Sequence, residues 1–364
     1  GNAHGHTAKR GMGTNAKWRQ VMDDRFGPLY AVAPPEHPPA RPQARGDQIR
    51  LAILDDYQNV AGDFADWSRL PATETLTIFT DHLADEEALA ARLAPFEILC
   101  VMRERTPLPA RLIQRLPQLK LIVTTGMRNA SIDIQAAQDQ GVLVCGTASP
   151  GHATAELTFG LILSLARGIP QEFQSVRQNG WQTAVGRELK GATLGIIGLG
   201  RLGAAVAHYA TAFGMKVIAW SQNLTAERTA EVGVELVGKE RLLAQSDFVT
   251  IHLRLSDRTR GLMGPEEFAR MKTDAYLVNT SRGPIIDRVA LSNALARGTI
   301  AGAAIDVYDQ EPLPKDHPFR GLPGLIATPH IGYVTRETYE VFYRETLEAV
   351  LAFLKGAPIR VIEP

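Results

Sequence analysis

The chain has 364 residues, 45% hydrophobic and 21% charged, the balance of a soluble globular protein long enough for two ordinary domains. Lysine plus arginine equals aspartate plus glutamate at 39 each, so there is no basic excess to hold a nucleic acid or an anionic membrane. No apolar run approaches the roughly 20 residues that span a bilayer, and two cysteines make neither a disulfide framework nor a metal site.

Residues 1–48 are rich in Pro, Gly, His and Arg and show no apolar periodicity and no apolar core of a secretory signal; they read as an N-terminal arm. From Ile49 the pattern alternates. Strands are expected at Ile49–Leu54, Thr75–Phe79, Glu97–Met102, Leu119–Thr124 and Val142–Cys145, with helices between several of them, such as Asp85–Leu93 with its acidic first turn. Cys100 and Cys145 lie in two of these runs and read as inert core thiols, which suits a reducing cytoplasm. Pro150-Gly151 breaks the chain. The helix expected at Ala153–Ala166 is too hydrophobic all round for a solvated surface and is expected to be buried between domains or subunits.

A second alternating block has expected strands at Thr193–Gly198, Lys216–Trp220, Phe248–His252, Ala275–Asn279, Gly302–Val307 and Leu325–Ala327, followed by an amphipathic helix after Thr335 to about Leu354. Such alternation implies α/β architecture with two doubly wound parallel-sheet domains. The first is expected to comprise 49–150 and 328–364, with the closing helix returned to it, and the second 151–327.

Gly198-Leu199-Gly200-Arg201-Leu202-Gly203 directly follows a strand and opens a helix, the frame that makes this glycine pattern a dinucleotide site. Gly198 permits the tight turn, Gly200 lets the backbone approach a pyrophosphate, and Gly203 lets helix and strand pack closely. The helix N-terminus offers free N–H groups and a positive dipole end. The next strand ends at Ser221-Gln222-Asn223 with no carboxylate for the ribose and no adjacent arginine, so NAD is favoured and NADP stays open.

Arg282, Glu311 and His330 each sit where a strand-like run stops, in Asn279-Thr280-Ser281-Arg282-Gly283, Asp309-Gln310-Glu311-Pro312 and Thr328-Pro329-His330-Ile331-Gly332. A cation that grips a carboxylate, a histidine that moves a proton and an acid that tunes it make a complete set for hydride transfer on a 2-hydroxy or 2-keto acid.

With the glycine fingerprint and Ala304-Ile305-Asp306-Val307-Tyr308, these motifs stand in the order and spacing of one family. From Ile49 onward the chain resembles the D-isomer-specific 2-hydroxyacid dehydrogenases, which include the D-3-phosphoglycerate dehydrogenases. The resemblance implies a flavodoxin-like substrate domain, a Rossmann cofactor domain and an active site in the cleft between them. It implies a homodimer too, with helix Ala153–Ala166 suited to the interface. Arg282 would pair with the substrate carboxylate, His330 would donate or remove the proton on the C2 oxygen, and Glu311 would hold the imidazole in one tautomer. Cofactor contacts are expected from Gly198, Gly200, Arg201, Leu202, Gly203, Ser221, His252, Thr280 and Asp306, the last on the nicotinamide side. Substrate contacts are expected from Arg103, Arg105, Gly126, Met127 and Arg282.

Arg103-Glu104-Arg105-Thr106 resembles the Arg-Ser-x-Thr loop of the phosphoglycerate enzymes, where two arginines suit a distal phosphate. Arg128 with Ala130-Ser131, and Arg254 where proline is common, depart from the family pattern. The residues after the last helix leave no room for the serine-sensing module of some phosphoglycerate dehydrogenases, so serine feedback is not expected. Two alternatives stand beside the general reading: D-3-phosphoglycerate dehydrogenase specifically, or a non-catalytic NADH-sensing binding protein on the same fold.

Overall fold

Short aliphatic runs form strands here because both faces of each sheet are covered, so that a strand reads as a continuous apolar segment. The computed structural model describes residues 48–364; the expected arm lies outside these but for its last residue. β1 (Arg50–Ile53), β2 (Thr75–Ile78), β3 (Ile98–Val101), β4 (Leu121–Thr124) and β5 (Leu143–Cys145) form one parallel sheet in the order β2-β1-β3-β4-β5. This is the flavodoxin order, with its reversal between β1 and β3. β6 (Thr193–Ile197), β7 (Lys216–Trp220), β8 (Glu235–Leu236), β9 (Phe248–Ile251), β10 (Tyr276–Asn279), β11 (Gly302–Ile305) and β12 (Leu325–Ala327) form a second parallel sheet, ordered β12-β11-β10-β9-β6-β7-β8. That is the Rossmann order extended by one strand, reversing between β6 and β9. β8, two exposed residues at the sheet edge, has no apolar run by which a sequence reading finds it.

Helix Glu86–Leu93 begins where Asp85 accepts the Ala88 amide at 2.8 Å, the cap that its acidic first turn announces. Helix Ala153–Arg167 packs one face inside the second domain against helix Arg201–Ala212, with Ala155, Phe159 and Ile162 buried, so the core accounts for that part of its apolar character. Helix Arg336–Leu354 crosses back to the first sheet, where Tyr339, Phe342, Tyr343 and Val350 pack with Leu51, Ile53, Leu121 and Val123. Beyond it, Val361 bridges Cys145 at the edge of that sheet. Both cysteines are buried thiols, and burial pushes Cys100 up to about 12. No described helix is long and apolar enough to cross a membrane.

Asp247, just before β9, ties the base of the second sheet together. Its carboxylate accepts from the Thr193 amide at 2.7 Å, Lys272 Nζ at 2.5 Å and Arg187 Nη2 at 3.0 Å. Burial raises its pKa, but Lys272, the Thr193 amide and Arg187 outweigh that and hold it below the ordinary carboxylate value. A depressed folded pKa adds stability above the unfolded value and loses it as pH falls through the folded one. Asp247→Asn is therefore expected to cost about 2 kcal/mol in urea unfolding at pH 7. The deficit narrows once the pH falls below about 4, where the unfolded carboxylate takes up a proton before the folded one does, and is gone once the folded one is protonated too.

Candidate active site

Every candidate side chain sits at or beyond the C-terminal end of a strand, which is where parallel sheets leave their crevices. Gly198 follows β6 at φ +98, and a Cβ there would lie 2.5 Å from the His252 carbonyl oxygen that follows β9. A Cβ on Gly203 would collide with the Gly198 carbonyl, whereas one on Gly200 would meet nothing within 4 Å. The turn is thus closed behind and open in front. No side chain caps the N-terminus of helix Arg201–Ala212, so its amides face that opening. Arg201 turns its guanidinium against Gly151, and Leu202 packs on the apolar cluster beneath the helix. Past β7, Trp220, Ser221, Gln222 and Asn223 line a pocket of about 220 Å3 together with Arg254 and Arg258.

At this crossing point both ring nitrogens of His252 are shut off from solvent without a partner, and burial pushes its pKa down to about 4. An open glycine, uncapped helix amides, an adjoining pocket and two unpartnered ring nitrogens fit a dinucleotide. Gly198, Gly200, Gly203, Ser221 and His252 are the residues placed to hold it.

The side chains of Thr280 and Asp306 are engaged within the protein. Thr280 is buried with its hydroxyl 2.7 Å from that of Thr158, so its side chain braces helix Ala153–Arg167 and does not face the crevice. Asp306 is wholly buried, and its carboxylate accepts from Thr328 Oγ1 at 2.7 Å and from the Ile331 and Gly332 amides at 2.8 Å each. It is an anchor for the segment that carries His330.

His330 stands at φ +53, with Nδ1 2.5 Å from Glu311 Oε2. The other Glu311 oxygen accepts the Tyr308 amide at 2.9 Å. With Nδ1 so engaged, Nε2 is the nitrogen left for the cleft. Arg282 reaches the same space from beyond β10, its Nη1 on the Ser281 carbonyl at 2.7 Å and its Nη2 3.0 Å from both oxygens of Glu104 in the first domain. His330 and Glu311 are in direct contact, and Arg282 is linked to them through Arg103, which lies near both Arg282 and Tyr333, and through the Tyr333 ring that packs on His330.

The first domain contributes less than expected. Arg105 is turned inward: Nε donates to Tyr333 Oη at 2.8 Å, Nη1 to the Asp55 carbonyl at 2.7 Å and Nη2 to Tyr339 Oη at 3.0 Å, with the guanidinium over the Tyr57 ring. It is a structural cation and not a substrate clamp. Gly126 gives its amide to Thr147 Oγ1 at 2.8 Å, so that donor is spent inside the domain. Met127 is exposed at the rim. Arg103, at φ +50, spends one donor on the Thr125 carbonyl at 3.2 Å, and burial lowers its pKa, with Glu104 and Arg282 both near enough to act on it. Sequence reading passed over Tyr333, whose ring lies edge-on to His330 with centroids 5.4 Å apart, and Glu104 as the partner of Arg282. Tyr333's position three residues after His330 was a readable signal; the Glu104 contact, 178 residues from its partner, was not.

Residues 159–332 match the family model described as D-isomer specific 2-hydroxyacid dehydrogenase, NAD binding domain. The chain is 37% identical over 259 residues to the glyoxylate reductase of Korarchaeum cryptofilum, covering 69% of this chain and 77% of that one. It is 40% identical over 290 residues to the D-3-phosphoglycerate dehydrogenase of Bacillus subtilis, covering 79% of this chain and 54% of that one. The chain thus spans about three quarters of the first relative and about half of the second. Among solved structures it superposes on the phosphoglycerate oxidoreductase of Vibrio cholerae with a TM-score of 0.81 and 36% identity, covering 85% of this chain and 100% of that one.

Gly200→Ala is expected to leave Tm within about 2 °C while weakening NADH binding about tenfold or more, read by fluorescence titration. Gly203→Ala, with the Gly198 carbonyl in its way, should instead cost about 1–3 kcal/mol of stability. His252 is neutral in the fold while an unfolded histidine takes a proton below about pH 6.5, so its contribution declines as pH falls from there toward about 4. His252→Gln should flatten that limb of the stability profile.

Proposed function

The chain belongs to the D-isomer-specific 2-hydroxyacid dehydrogenase family, and on that premise we propose that Arg282, Glu311 and His330 carry its chemistry at C2 of the substrate. It is an oxidoreductase of the CH–OH group of 2-hydroxy acids, with NAD as cofactor. The observation that carries the assignment of roles is the His330–Glu311 contact, which engages Nδ1 and leaves Nε2 for a substrate.

NADH, when bound against the glycine turn, supplies the hydride. Arg282 holds the substrate carboxylate, since a planar guanidinium matches a carboxylate with two parallel bonds where an ammonium gives one point charge. His330 gives its Nε2 proton to the C2 oxygen of the keto acid and takes it back in the oxidative direction. Glu311 holds the ring so that Nε2 and not Nδ1 faces the oxygen, and Asp306 fixes the backbone on which the ring stands. Cleft closure excludes water from this path.

In this reading residues 49–150 and 328–364 make the substrate side and 151–327 the cofactor side. The protein is placed in the cytoplasm, supported by the two buried unpaired thiols. It acts as a homodimer, supported by the exposed Ile169, Phe173, Val176, Trp181 and Val185, an apolar surface that water alone covers poorly.

The test is NADH oxidation at 340 nm with a panel of 2-keto acids; silence across the panel with NADH still bound overturns the reading. His330→Ala should lower turnover by about 10² or more, the scale of a positioned acid–base group, with NADH affinity retained. Arg282→Lys should also be severe, seen chiefly as lost kcat/KM, because the two-point grip is gone.

A further inference from the structure

The cation that must receive the substrate carboxylate is already facing an anion. Both oxygens of Glu104 lie 3.0 Å from Arg282 Nη2, and the two side chains are only 27% and 34% exposed. In so partly screened a space a unit charge acts over several ångströms. Glu104 stands at the position of the serine in the Arg-Ser-x-Thr loop that Arg103-Glu104-Arg105-Thr106 resembles, so it adds a negative charge where that pattern has none.

The second observation is the orientation of the neighbouring arginines. Arg105 is bonded to Tyr333, Tyr339 and the Asp55 carbonyl and is unavailable to a ligand, while Arg103 keeps part of its guanidinium free. The groups facing the substrate are therefore two cations, Arg103 and Arg282, and one anion, Glu104, beside a His330–Glu311 pair that is neutral overall when the imidazole is protonated. One carboxylate on the substrate brings this set to zero. A second carboxylate or a phosphate leaves uncompensated negative charge in a cleft that closes against water, which is costly.

We propose that Glu104 sets the charge of the substrate: the cleft selects 2-keto acids whose single anionic group is the carboxylate taken by Arg282, with a neutral or cationic remainder, and rejects phosphorylated and dicarboxylic ones. As that carboxylate takes the Arg282 fork, Glu104 is left beside the remainder of the molecule. There it accepts a hydrogen bond from a hydroxyl or amine and repels an oxyanion. The proposal rests on the dehydrogenase reading above, and it separates that reading from phosphoglycerate oxidation specifically.

The test uses oxamate and oxalate, near-isosteric two-carbon acids that differ by one charge, titrated into the NADH-bound protein by calorimetry. Wild-type protein should bind oxamate at least about tenfold more tightly than oxalate, the scale of one partly screened unit charge. Glu104→Gln should lose most of that ratio, and Glu104→Ser serves if the first variant fails to fold. In turnover, hydroxypyruvate should exceed phosphohydroxypyruvate in kcat/KM, and Glu104→Gln should narrow the gap by about the same factor. Equal binding of the two acids by the wild type, or an unchanged ratio in both variants, overturns the proposal. A tenfold preference for oxamate that Glu104→Gln abolishes, with no turnover of any keto acid, supports the charge rule and overturns the dehydrogenase reading. Binding of NADH with no binding of either acid overturns both.

Discussion

The carboxylate of Asp306 is fully buried at the end of β11, where it accepts the Thr328 hydroxyl and the amides of Ile331 and Gly332. Burial pushes its pKa up, and those three donors oppose the shift. The arrangement holds the segment Thr328–Gly332 against the sheet by its first residue and its last two, and His330 lies between them in the left-handed backbone region that a non-glycine residue enters only when its surroundings impose it. Gly332 completes the clamp, since a Cβ there would stand 3.1 Å from the Asp306 carboxylate and equally near Thr154. The bearing of the imidazole toward Glu311 follows from this anchor, as does the direction in which the chain leaves for the first domain.

The remaining polar groups divide into those that build and those that face the ligand. Arg105, Thr280, Asp306 and the Gly126 amide are spent on the protein itself, each hydrogen-bonded to other groups of the chain. Arg282, His330 and Arg103 keep donor capacity toward the cleft, and Glu104 tempers it. Charge in the cleft is therefore a small difference between opposed groups, which makes it sensitive to a single side chain.

Much of this was legible in sequence because parallel strands buried on both faces are written as plain apolar runs, and because a glycine pattern after a strand has few other meanings. Strand ends were read one or two residues too long where buried residues such as Met102 continue past the last ladder bond. The catalytic candidates were legible for the same reason as the strands: each lies in the loop that leaves the C-terminal end of one. Side-chain direction was not. Arg103 and Arg105 look alike in sequence, yet both lie in a turn beyond β3 that sets no alternation, and only the tyrosines of helix Arg336–Leu354 and its approach, far away in the chain, decide that Arg105 turns inward. For the apolar helix Ala153–Arg167 the sequence states that something covers it and not what; within the chain, one face is covered by helix Arg201–Ala212 and the second sheet.

The return of helix Arg336–Leu354 to the first sheet also orders events during synthesis. Residues 50–145 emerge from the ribosome with all five strands but without Tyr339, Phe342, Tyr343 and Val350, which cover one face of that sheet. The second domain has its sheet complete at β12, before that helix has been translated. Of the two sheets, the one translated earlier is thus the last to be sealed, and its apolar face stays open while the second domain is made.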